Sequence, residues 1–449
     1  MYSFTRYMRL IGLFAWILAL SSGFAGSVTA AQTPNDCTHY VTPDGDDANP
    51  GTLDQPWHTL QFAANAAQPG NVICVGTGTY HPEDDELIFT SAGTADQPIM
   101  FTTYNGDVVL QGSVYFEPGS AYWHFNGFTL NAFTYWGISV AGANYITLSN
   151  LVISGGEAAI NFSVTRNGSE RAVDHITVMD SVFYDAEYSV VDCTPGPCND
   201  MVFQRLEIYG AGGPTASYGS DGLAVEHGQN ILVEDCHIHH NSGDGLDLNS
   251  RDKMDGDPTG EIIVRNNRVE QNALNGIKVW GGGVLTNNLA WNNGDTNLVI
   301  EEGSDYTIIN NTFASVTSHT YLAAAGYDEW PGTTNIVMVN NIFYNDHPAM
   351  DGSILYISPR VNLTSDYNLY YNPYREEDMI CHHETCFNAE HVNDGTFFAA
   401  TGYGEHSIYG DPLFVDAANG DFHLSGSSPA LDVGNDVYGA DIGAYSVGN

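Results

Sequence analysis

The residues of this 449-residue chain best suited to chemistry sit in short segments of one form: glycine, apolar, variable, apolar. Gly137-Ile138-Ser139-Val140, Gly222-Leu223-Ala224-Val225, Gly245-Leu246-Asp247-Leu248 and Gly276-Ile277-Lys278-Val279 all have it. Side chains alternate across a strand, so the apolar pair points inward and the middle residue points to solvent. Strands of successive repeats stack about 4.8 Å apart, which sets Asp247 beside Lys278 on an outer face. Just before the glycines runs a parallel row of Asp221, Asp244 and Asn275. Three carboxylates, Asp221, Asp244 and Asp247, thus converge with Lys278, one of only two lysines in the chain. Hard oxygen ligands on turns suit Ca2+, which tolerates loose geometry and requires no His or Cys. A calcium held there would stabilise the charge that develops when a proton is removed next to a carboxylate. Lysine takes a proton only when neutral. The aspartates alone raise its pKa, and bound calcium reverses the local field.

Each of these features has a plainer reading. A single Asp-Gly is ordinarily a solenoid turn, and Lys278 in register is what marks the set as a functional site. Asp44-Gly45-Asp46-Asp47 and the trio Asp252, Asp255 and Asp257 also resemble metal loops. Their spacing matches no demanding ligand pattern, and they read as solvated turns. Arg251 and Lys253, on the turn after Asp247, are placed to pair with further substrate carboxylates but read first as exposed turn residues.

The elements that position these residues repeat. Short strands end in a polar residue followed three positions later by an apolar one: Asn150 with Ile153, Asp180 with Phe183, Asp235 with Ile238. A weaker copy falls at Arg205, and Asn266, Asn287, Asn310 and Asn340 each begin an Asn-Asn doublet. A period of roughly 21 to 31 residues describes an all-β, right-handed parallel β-helix, whose coils bury apolar faces only by stacking. A propeller blade needs more residues than these intervals provide. The doublets are expected to stack as amide ladders at one turn. Leu60, Phe62, Ala63, Ala64 and Ala67, stopped by Pro69-Gly70, predict a helix that caps the open N-terminal end.

With 54 Asp and Glu against 12 Lys and Arg, the net charge is -42. Nucleic acid is excluded as a partner, since such binders need a basic face. Arg6 and Arg9, the apolar run Ile11 to Leu20 and the small residues through Ala31 predict a signal peptide over residues 1–31. No other stretch is long and apolar enough to span a bilayer. A secreted monomer is expected, with one β-helix domain over 32–449 that includes an N-terminal cap at about 37–80 and C-terminal closing coils at about 409–449. Export permits disulfides: Cys193 with Cys198, Cys381 with Cys386 and Cys37 with Cys74, leaving Cys236 as a buried free thiol.

Ser220-Asp221-Gly222-Leu223, Gly243-Asp244-Gly245-Leu246-Asp247-Leu248 and Asn275-Gly276-Ile277-Lys278-Val279-Trp280-Gly281, in that order and one coil apart, resemble the family 9 polysaccharide lyases, pectate lyases built on a right-handed parallel β-helix. Tyr40-Val41-Thr42-Pro43-Asp44-Gly45 through Gly78-Thr79-Tyr80 looks like the N-terminal cap of this broad class. The resemblance implies calcium-dependent eliminative cleavage of an acidic uronan such as polygalacturonate, with Asp221, Asp244 and Asp247 as calcium ligands and Lys278 as the base. One departure is Gly243, where the family pattern has a second aspartate. Two other functions compete: an inverting glycoside hydrolase using the three aspartates as acid and base, and a non-catalytic glycan-binding solenoid in which they are only turns. Trp280, Trp291 and Tyr218 could stack on sugar rings under any of the three.

Overall fold

The computed structural model describes residues 37–445 except for 195, 214–218, 250–260, 302–304, 318–322, 326–333, 349–353, 359–360, 375–378, 383–384 and 436. The expected signal peptide, Tyr218, Arg251, Lys253 and the trio Asp252, Asp255 and Asp257 lie outside the described residues. Among those described, no helix is long and apolar enough to cross a membrane.

The strands form a right-handed parallel β-helix with two stacked sheets of 22 and 13 strands. In the 13-stranded sheet the pairing is parallel from Glu86–Phe89 up to Ile380–His382 and antiparallel only at its last strand, Thr385–Phe387. Each coil turns on a residue in the left-handed region, and the repeat anchors are these residues: Asn150, Asp180, Arg205, Asp235, Asn266, Asn287, Asn310 and Asn340 all have φ between 53° and 58°. Aspartate and asparagine tolerate that conformation better than other non-glycine residues, which is why the anchors are legible as a polar series. Inward side chains fill one continuous core, aromatic at the N-terminal end, where Phe89, Phe101, Phe116, Trp123, Phe125 and Phe128 are all buried.

The Asn doublets divide their work. The first residue makes the turn, with one rung of its own where Asn287 Nδ2 donates to Asn266 Oδ1 at 3.2 Å, and the second is fully buried and carries the continuous amide ladder. Asn267 bonds Asn288, Asn288 bonds Asn311, Asn311 bonds Asn341 and Asn341 bonds Asn368, each side-chain amide reaching the next side-chain oxygen at 2.9–3.1 Å. Cys236 occupies the preceding rung, its backbone N–H donating to Asn267 Oδ1 at 2.9 Å. It is free and buried, and burial pushes its thiol up to about 12, so it is a core thiol.

Both open ends of the 13-stranded sheet are managed. The predicted helix spans Leu60–Ala66, with the Thr59 side chain accepting from Phe62 N–H and Ala67 as its C-cap. Gln61 satisfies the edge of the first strand from both sides, Nε2 donating to Ile88 O at 2.9 Å and Oε1 accepting from Ile88 N at 2.8 Å. Phe62 lies off the buried stripe of Leu60, Ala63, Ala64 and Ala67; it is 38% exposed and sits edge-on to Trp57. Asp47 accepts from the N–H groups of His58 and Thr59, both at 2.9 Å, so this member of the acidic segment fixes the chain just ahead of the helix. At the far end the Cys381–Cys386 disulfide joins the last two strands, and Phe387, Val392 and Phe397 of the segment that includes helices Ala389–Asn393 and Thr396–Thr401 enter the core. Cys193–Cys198 is the other internal bridge, and Cys37 and Cys74 are both disulfide-bonded.

The segment after Tyr409 does not add coils. It runs back along the outer face of the stack, where Phe422, Leu424, Ala430 and Ile442 bury Leu289, Trp291, Ala314, Ile342, Tyr344 and Leu369. Asn310 and Asn340, freed from the ladder, donate to Tyr438 O at 2.7 Å and Gly439 O at 3.0 Å and hold this strap in place. Trp291 is thereby covered, 5% exposed against Phe422, and takes no part in sugar stacking.

Candidate functional site

Strands Leu223–Val225, Leu246–Asn249 and Ile277–Trp280 pair in parallel with Ala224 opposite Asp247 and Asp247 opposite Lys278. Leu223, Val225, Leu246, Leu248, Ile277 and Val279 are fully buried, so the alternation places Asp247 and Lys278 outward, as the sequence predicts. Lys278 Nζ lies 2.8 Å from Asp247 Oδ2 and 3.3 Å from Asp244 Oδ2, and 5.2 Å from the centre of the Trp280 ring.

The row before the glycines is tied from coil to coil. Asp244 N–H donates to Asp221 Oδ1 at 2.7 Å, and Asp244 Oδ1 accepts from Asn275 N at 2.8 Å and Asn275 Nδ2 at 2.9 Å. Asp221 N–H in turn donates to Ser189 Oγ at 3.0 Å. A second amide ladder, absent from the sequence reading, backs this row: Asn241 Nδ2 donates to Asn272 Oδ1, Asn272 Nδ2 to Asn293 Oδ1 and Asn293 Nδ2 to Asn297 Oδ1, at 2.9, 2.9 and 2.7 Å. It fixes the short turns that deliver Asp244 and Asn275.

Gly243 has a steric cause. A Cβ there would stand 2.7 Å from the Gly219 carbonyl carbon and 2.8 Å from that of Ser220, and it would strike Asp221 Oδ1. The coils approach too closely at this point for any side chain, so the family's extra carboxylate has no room.

The electrostatics are those of an under-neutralised acid cluster. Burial, reinforced by Asp244 and Asp247, pushes Asp221 up to about 7. Burial also raises Asp247, against the opposing pull of Lys278. Burial alone would lower Lys278, but the contacts with Asp247 and then Asp244 outweigh it and the net direction is upward. Asp247 Oδ1 is buried and has no hydrogen-bond partner. An orphaned carboxylate oxygen beside two further carboxylates fits a hard divalent cation, and the donor set is all oxygen, so the residues present fit calcium.

One acidic residue on the same face escaped the sequence reading. Asp192, in strand Val191–Cys193, lies opposite both Asn161 and Ala224, in the same outward column as Asp247 and Lys278. Burial pushes its carboxyl up to about 6, and Asn161 Nδ2 donates to it at 3.1 Å. Its coil lacks the glycine of the motif; the alternation Val191, Asp192, Cys193 was the available signal.

A parallel β-helix with a carboxylate and lysine cluster on its outer face is the class these features define. Residues 39–295 match the family model described as Pel9A-like, right handed beta helix region, and the chain belongs to that family. It is 26% identical over 452 residues to uncharacterized protein YwoF of Bacillus subtilis (strain 168), covering 88% of this chain and 92% of that protein. Over 214 residues it is 28% identical to pectate lyase PEL9 of Emericella nidulans, covering 46% of this chain and 48% of that one. The crystal structure of pectate lyase Pel9A superposes with a TM-score of 0.51 at 15% identity, over 91% of this chain and 96% of the other, a likeness of fold.

Proposed function

We propose that the protein is a polysaccharide lyase that cleaves an acidic uronan of the polygalacturonate class by β-elimination, with Asp221, Asp244 and Asp247 as calcium ligands and Lys278 as the base. The observation that carries this reading is Lys278 Nζ held between Asp247 and Asp244 beside the unpartnered Asp247 Oδ1. Calcium, when bound by these carboxylates, would neutralise charge on the substrate carboxylate and relieve the field that keeps Lys278 protonated. Neutral Lys278 takes the proton α to the substrate carboxylate. The released pair forms a carbon–carbon double bond as the glycosidic carbon–oxygen bond breaks, and the leaving oxygen is protonated from solvent. Trp280, next to the lysine, is placed to pack against a sugar ring.

The same contacts argue against one pair of the inverting hydrolase, Asp244 with Asp247 as acid and base. Asp244 Oδ2 and Asp247 Oδ2 touch one ammonium nitrogen at 3.3 and 2.8 Å, so they cannot be separated by more than those two contacts laid end to end. Inversion needs about 6.5–9.5 Å between the carboxyl groups for a water. We extend the proposal to a secreted monomer, a single β-helix domain over 32–449 after removal of 1–31, with the acidic polysaccharide as its partner.

The test is product chemistry on polygalacturonate, alginate and a neutral glycan, with calcium or with chelator. The expected product carries an unsaturated, ultraviolet-absorbing end and forms only with calcium. Lys278→Ala and Lys278→Arg are both expected to lose at least a hundredfold in rate, because guanidinium stays protonated and cannot accept a proton. A rate for Lys278→Arg within severalfold of wild type would remove the lysine from the role of base. Full activity in chelator would remove the metal.

A further inference from the structure

A second cluster of ligating side chains lies on the 22-stranded sheet, away from the strand that carries Lys278. Strands Cys198–Tyr209 and His237–His239 pair with Glu207 opposite His237 and Tyr209 opposite His239. Ile238 between the histidines is fully buried, so both imidazoles project outward with Glu207. We propose that Glu207, His237 and His239 form a binding site for a divalent transition ion of the zinc class.

Ligand atoms of the three residues all lie within 4.8 Å of one another. His239 Nε2 stands 3.4 Å from Glu207 Oε1, long for a hydrogen bond. A tetrahedral ion with ligands about 2.0–2.1 Å away sets neighbouring ligand atoms roughly 3.3 Å apart, so that spacing suits a shared ion. The surrounding residues support the rings as metal-ligating imidazoles are supported. Glu270 Oε1 bonds His237 Nε2 at 2.8 Å, and Arg268 Nη2 donates to Glu270 Oε2 at 2.8 Å. The His239 ring stacks on Tyr209 at 5.0 Å, and Tyr209 on Tyr184 at 5.1 Å. His239 Nδ1 lies 2.8 Å from His240 Nδ1; a proton on the former in that contact leaves Nε2 with its lone pair toward Glu207.

Two imidazoles and one carboxylate select zinc, copper or nickel over calcium, so this site differs in chemistry from the aspartate cluster. An ion here would join one coil, through Glu207, to the next, through His237 and His239, and leave positions open for water or a substrate oxygen.

The experiment uses the full chain stripped with chelator and titrated with Zn2+ alone, read by calorimetry and by metal content after gel filtration. Wild type is expected to retain one zinc per chain, with affinity at least tenfold weaker in His239→Ala, His237→Ala and Glu207→Gln. Asp247→Asn and His175→Ala, an exposed histidine elsewhere, are expected to match wild type. Glu207 is half exposed and Gln keeps its shape, so this variant decides the matter if a histidine variant fails to fold. A wild type that retains no zinc, three site variants within twofold of wild type, or an equal loss in Asp247→Asn overturns the proposal.

Discussion

At Asp221 a single carboxyl joins two functions, because Oδ1 accepts the backbone N–H of Asp244 in the next coil while burial and its acidic neighbours hold its proton up to about 7. In an unfolded chain the same group releases its proton near 3.9. Between those values the folded chain holds a proton that the unfolded chain has lost. The stabilisation from this group is therefore complete below about 3.9 and is lost as the pH rises to about 7. In chelator, the unfolding free energy of wild type should fall across that window relative to Asp221→Asn, measured by urea unfolding at several pH values. Parallel pH dependences would show that the carboxyl is not perturbed. Gly243 makes the complementary case. Restoring the family's second carboxylate as Gly243→Asp should weaken the fold by about 1–3 kcal/mol, since the new Cβ drives into the Gly219-Ser220 backbone. A variant as stable as wild type with tighter calcium binding would contradict this.

Between coils, the two asparagine ladders have different consequences although their bonds are alike. Asn288 accepts from Asn267 and donates to Asn311 and Val264, deep in the turn remote from Lys278. Asn293 makes the equivalent bonds and its amide abuts Gly276, two residues before Lys278. Replacing either by Ala strands buried donors and should cost about 1–3 kcal/mol. Only Asn293→Ala should also lower turnover at saturating calcium; equal turnover in both variants would separate the second ladder from the site. The first ladder was legible because its doublets repeat after an alternating strand. The second was not, because Asn241 and Asn272 stand alone in turns where single asparagines are common, and only the stacking aligns them with Asn293. The outward column of Asp247 and Lys278 could be read from the alternation of buried leucine, isoleucine and valine. Asp192 in the same column could not be read by that motif, since its coil has valine where the others have glycine.

At the scale of the whole molecule, a parallel solenoid is held by neighbours only, each coil touching the one before and after. The strap breaks that rule. Its contacts join residues far apart in sequence, Arg268 Nη1 to Gly420 O and Ala444 N to Thr312 Oγ1 among them. Phe422→Ala should remove about 3–5 kcal/mol from the docking of the strap, seen as faster amide exchange at Leu289–Trp291 and Thr312–Ser315. Exchange unchanged at those strands would mean that the strap adds nothing to them. Sequence alone did not place the strap, because its alternating Phe422 and Leu424 look like any further coil and its partners are scattered over several coils from Leu289 to Leu369. During synthesis the order of events is fixed by position in the chain. The strip formed by Leu289, Ile342, Tyr344 and Leu369 leaves the ribosome before the residues that cover it, and it stays bare until the strap has emerged. A nascent chain stalled near residue 410 would present a greasy ribbon to every other unfinished copy, and the strap acts as the molecule's own chaperone.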